Sequence, residues 1–81
     1  MKKFPVSLKA SDAALEGKYA NTMQVLHTER EFIVDFILML PPSGSLVSRV
    51  ILAPETMKEC IKVLQNNLDK FNSKAKKPDF I

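Results

Sequence analysis

The run Phe32-Ile33-Val34-Asp35-Phe36-Ile37-Leu38-Met39-Leu40, then Pro41-Pro42-Ser43-Gly44-Ser45, then Leu46-Val47-Ser48-Arg49-Val50-Ile51-Leu52 holds the key to the fold. Both flanking runs are rich in β-branched and aromatic residues, which suit a pleated surface better than a helix, and two prolines stop the first run. A β-hairpin is the reading, with the Pro-Pro-Ser-Gly-Ser segment as its connection. Ser43-Gly44-Ser45 superficially imitates a phosphate-cradling loop. It lacks the glycine spacing, the lysine and the following helix that such a loop needs.

In a strand, alternate residues face opposite ways. Phe32, Val34, Phe36, Leu38 and Leu40 form one large apolar face, to be covered by a helix. Ile33, Ile37 and Met39 make the other face apolar too, with Asp35 alone among them, whereas a free antiparallel sheet shows water a polar outer face. A second covering body is therefore expected. In the following strand Leu46, Val50 and Leu52 are assigned to the helix side, and Val47, Arg49 and Ile51 to the Asp35 side. A hairpin centred on Pro42 or Ser43 brings Arg49 opposite or diagonal to Asp35. A charged pair among isoleucines is costly to desolvate unless it satisfies itself. The pair then fixes strand register or a symmetric contact, or else anchors a bound peptide.

Upstream, Tyr19 to Thr28 alternates as a strand, with Met23 and Val25 on one side and Gln24 and Leu26 on the other. Thr28-Glu29-Arg30-Glu31 makes a tight turn into the central strand. Downstream, Pro54 stands at a first helical position and Glu55 at the positive end of the dipole. Met57, Cys60, Ile61, Leu64, Leu68 and Phe71 recur as one apolar stripe, giving a helix that lies across the sheet and ends near Asn72. The fold class is α+β: an antiparallel three-stranded sheet followed by one long C-terminal helix on one face. Residues 1–18 form an N-terminal arm, open between a fourth strand and a helical turn stopped by Gly17. Residues 19–72 are the core, and 73–81 a mobile basic tail.

The ordered set Glu16-Gly17-Lys18-Tyr19-Ala20-Asn21, His27-Thr28-Glu29-Arg30-Glu31-Phe32, Val34-Asp35-Phe36, Pro41-Pro42, Val47-Ser48-Arg49-Val50 and Pro54 resembles a small prokaryotic family, the domain of unknown function 3467 (DUF3467). The resemblance runs from about Glu16 to Phe71 and implies a compact sheet-plus-helix protein with no assigned activity. Such sequences often place a hydroxyl residue before the proline. Here Ala53 cannot cap, at a cost of about 1 kcal/mol relative to Ser or Thr. The order of sheet then helix is also similar to that of export chaperones that hold unfolded chains in apolar grooves, a likeness of architecture only.

Chemistry has little to work with. His27 is the sole histidine, near Glu29 and Glu31 at a turn, and reads as a solvated turn residue rather than a base or metal ligand. Cys60, the sole cysteine, sits on the apolar stripe as a small packing residue and leaves no internal disulfide. No catalytic residue, cofactor or metal is assigned. The net charge of +3 gathers at the ends, in Lys2, Lys3, Lys9 and Lys18 and in Lys74, Lys76 and Lys77, the middle being near neutral. No apolar run is long enough to span a membrane, and Met1-Lys2-Lys3 does not open a cleavable signal, so a cytoplasmic protein is expected.

An 81-residue chain without disulfide or metal commonly gains buried area by associating with itself. The expectation is thus a non-catalytic homodimer or higher oligomer acting as an interaction or chaperone-like module. Its candidate partner face is Leu26, Ile33, Asp35, Ile37, Met39, Val47, Arg49 and Ile51, and Asp79-Phe80-Ile81 is a candidate tail motif for a protein partner. The alternative is weak nucleic-acid binding through the Lys-rich ends, although the strands lack interleaved basic and aromatic residues.

Overall fold

The computed structural model describes residues 7–73. In chain order these form a short helix α1 (Asp12–Leu15), strands β1 (Thr22–His27), β2 (Phe32–Leu40) and β3 (Ser43–Leu52), and the long helix α2 (Pro54–Asn72). The strands make one antiparallel sheet in the order β1-β2-β3, so the α+β architecture is as expected, with the most apolar run at its centre.

Of the two readings of the arm, the helical turn is the one that forms. The Ser11 hydroxyl accepts from the Ala14 N–H at 3.1 Å, a side-chain cap for a four-residue helix. No strand occurs among the described residues of the arm, and residues 1–6 lie outside them. Leu8 and Leu15 remain 82% and 71% exposed, so this segment shields neither sheet face.

The ladder of β1 begins at Thr22 rather than Tyr19, because Asn21 ends the sheet with its side chain. Its amide donates to the Met39 carbonyl at 3.0 Å and its side-chain oxygen accepts from the Met39 N–H at 2.8 Å. The Asn21 N–H meanwhile donates to the Ile37 carbonyl. At the other end, the Thr28 hydroxyl accepts from the N–H groups of Arg30 and Glu31, and the Thr28 N–H donates to the Glu31 carbonyl. A hydroxyl that satisfies two turn donors explains why so charged a segment turns here.

The second hairpin is tighter than its sequence implies. Pro41-Pro42 alone connects the strands, through a cis peptide. Ser43, Gly44 and Ser45 belong to β3 and pair with Leu40, Met39 and Leu38, which corrects their assignment to the connection. Gly44 fits because a Cβ there would lie 2.9 Å from the Met39 Sδ. A β-bulge follows: Leu46 faces Ile37, Ser48 faces Phe36, and Val47 is the extra residue between them. Leu46 consequently shares the face of Ile37 and Asp35, not the helix side to which alternation assigned it. Val47 has no partner across the ladder.

Helix α2 starts at Pro54 behind an Ala53 that makes no side-chain cap bond, and it ends at Asn72. Ser73 closes it, donating from its hydroxyl to the Lys70 carbonyl at 2.6 Å. The helix was expected to cross the sheet; it touches the sheet chiefly along β3. Ala53 alone joins the two elements, so the helix is tied to an edge strand. From that edge a body 10–12 Å wide reaches only about 5–6 Å inward, short of β1 at about 10 Å. Among the described residues Val34 is the only one buried on the helix side, and Asp35 is buried on the other face.

Candidate interaction site

The register sorts the sheet into two surfaces of different character. One carries Asp35 between Gln24 of β1 and Arg49 of β3, each directly across its strand. Arg49 Nε donates to Asp35 Oδ1 at 2.7 Å and a second guanidinium nitrogen to Oδ2 at 2.9 Å, the two-pronged geometry that suits a planar guanidinium. Gln24 Nε2 donates to Oδ2 at 2.9 Å. The Asp35 side chain is fully buried, whereas that of Arg49 is half exposed. No buried side-chain polar atom among the described residues lacks a partner. The Arg49 hydrogen bonds first, then that of Gln24, draw the Asp35 carboxyl from 3.8 down to about 2, against a desolvation that acts the other way. The hydrogen bonds to Asp35, and then its charge, raise Arg49 further above its ordinary value.

The bulge is what makes this pairing possible. Pro41-Pro42 sets a register in which Leu40 meets Ser43, and continued unbroken it would bring Arg49 to Val34, on the opposite face. One extra residue at Val47 returns Arg49 to Asp35. The pairing expected from a hairpin centred on Pro42 is therefore observed, through a tighter turn plus a bulge. Gln24 was not singled out in the sequence. Counting back across the Thr28–Glu31 turn places it opposite Asp35, and that count was the available signal.

Around this cluster the remaining candidate residues are unevenly covered. Ile33, Ile37 and Val47 are partly buried, while Leu26, Met39 and Ile51 are exposed. Asp79, Phe80 and Ile81 lie outside the described residues, as do the lysines at 2, 3, 74, 76 and 77.

The opposite surface holds an apolar opening. Between α2 and the sheet lies an apolar groove of about 660 Å³, floored by Met23, Val25, Val34 and Phe36 and walled by Ile61 and Leu64 of the helix. Its lining includes Cys60, in keeping with a packing role. His27, on the same face, has its ring 5.8 Å from that of Phe32. The helix half-covers Met57, Cys60 and Val63, yet Ile61, Leu64 and Leu68 are 59%, 64% and 52% exposed. A narrow seam at Ile61, Leu64, Leu68 and Phe71, spaced three, four and three residues, is the pattern of helix-on-helix packing, and its Ile61 and Leu64 open onto the groove without closing against the sheet.

Among the described residues no group of three His, Cys, Asp or Glu side chains is placed to hold a metal, and no helix is long and apolar enough to cross a membrane. The arrangement offers apolar contact and one internally satisfied ion pair. No curated protein and no solved structure matched the chain. A family model described as a protein of unknown function (DUF3467) matches residues 2–76, nearly the whole length, in agreement with the ordered motifs from Glu16 to Pro54. The chain belongs to the DUF3467 family.

Proposed function

We propose that the protein is a non-catalytic interaction or chaperone-like module whose working unit is a homodimer. The supporting observation is the near absence of a core: Val34 is the only buried apolar residue among those described. The groove-side residues Met23, Val25, Val50, Ile61, Leu64 and Leu68 are all 41–64% exposed. Contiguous apolar surface of this kind marks an interaction site in a small domain. Covering what remains open is worth on the order of 1 kcal/mol for each such side chain. A cytoplasmic setting belongs to the same reading.

Size-exclusion chromatography with light scattering tests it. A dimer at micromolar concentration is expected, with twice the 9.1 kDa chain mass. A monomer that stays folded at that concentration refutes the proposal.

A further inference from the structure

We infer that the groove between α2 and the sheet is the dimer contact, and that its occupant is the α2 helix of a second copy. The inference rests on the self-association proposed above and adds which face is used and what fills it. The chain's own α2 approaches the sheet at β3 and leaves Met23 and Val25 of the far strand open. The empty space is apolar and bordered on one side by Ile61 and Leu64. A second helix laid beside the first would touch both the open floor and that seam.

Each copy has such a helix to offer. Its seam continues past the groove, since Leu68 is 52% exposed and does not line it. Lys62, Gln65, Asn66 and Asp69 occupy the other side of α2, so one seam alone is suited to an apolar contact. Related by a two-fold axis, the same residues are both knob and hole, as an isologous interface requires. The area is sufficient. A large aliphatic side chain has roughly 100 Å² to bury, so the seven groove and seam residues that are 41–64% exposed, with Phe32, Phe36, Leu52, Met57 and Cys60 partly open beside them, offer on the order of 500 Å² per copy. Two copies together reach about 1,000 Å², the size that a specific interface must clear.

The experiment compares chain mass and secondary structure for the parent, for Leu64→Glu on the wall and Met23→Glu on the floor of the groove, and for Ile51→Glu on the opposite face. The expected result is a dimeric parent and a dimeric Ile51→Glu, with both groove variants folded by circular dichroism and their association weakened at least roughly 100-fold by a buried carboxylate. Against misfolding of those variants, Cys60→Ala/Leu64→Cys and Cys60→Ala/Leu68→Cys chains are mixed and mildly oxidised. A disulfide-linked dimer is expected there and not with Cys60→Ala/Ile51→Cys. A monomeric parent overturns the proposed function and this inference with it. A dimeric parent broken by Ile51→Glu but not by the groove variants overturns the groove contact alone. An apolar small molecule seen as added mass on a monomer in native mass spectrometry overturns the second copy as occupant.

Discussion

Asp35 is fully buried and yet ionised, and its three hydrogen bonds make its neighbours indispensable. Arg49→Ala leaves that carboxylate with Gln24 alone and is expected to lower the melting temperature by on the order of 10 °C or more. A variant that melts within a degree or two of the parent contradicts the buried pair. The pH dependence has a definite sign. Because the folded-state value lies at about 2 and the ordinary one at 3.8, the contribution of Asp35 is complete above about pH 5. It is lost as pH falls from about 4 towards 2. Denaturation midpoints measured across that window should fall less in Asp35→Asn than in the parent, and equal slopes would show that other carboxylates govern acid unfolding. The pairing of Asp35 with Arg49 was legible because both are isolated charges in apolar runs. Gln24 was not, since a neutral polar residue on a strand carries no such contrast.

At the level of elements, composition located the strands well because prolines and β-branched runs delimit them sharply. It misplaced the start of β3, since serines and a glycine resemble a loop until the Gly44–Met39 approach is known. The bulge at Val47 was equally hidden. Alternation has no mark for an extra residue, and Leu46 was sent to the wrong face for that reason. Deleting Val47 brings Leu46 and Ser48 into consecutive pairing and preserves Asp35 opposite Arg49. The shortened chain is expected to fold and retain the acid transition of the parent. Loss of folding would mean that the bulge has a role beyond register. Helix α2 begins uncapped at Ala53, and Ala53→Ser should stabilise the protein by about 1 kcal/mol. That corresponds to a rise of roughly 4–8 °C in melting temperature for a domain of this size. No rise would indicate that the first-turn N–H groups are already satisfied elsewhere.

Across the whole molecule, the sequence established that one sheet and one helix are too little material to cover every apolar face. It located the shortage beneath Ile33, Ile37, Val47 and Ile51. An apolar groove also stays open on the helix side, where a one-residue link ties α2 to the edge strand β3. Periodicity shows that a helix has an apolar stripe but not which part of the stripe meets its own sheet. If a second copy completes the core, folding and association are linked. The melting temperature should then rise with protein concentration, and thermal scans from about 1 to 100 µM would reveal this as a steady upward shift. The mass of the chain in solution is the most direct measure. Light scattering or sedimentation equilibrium at micromolar concentration should give twice 9.1 kDa, whereas a stably folded species of 9.1 kDa with a concentration-independent melting temperature would contradict the shared core.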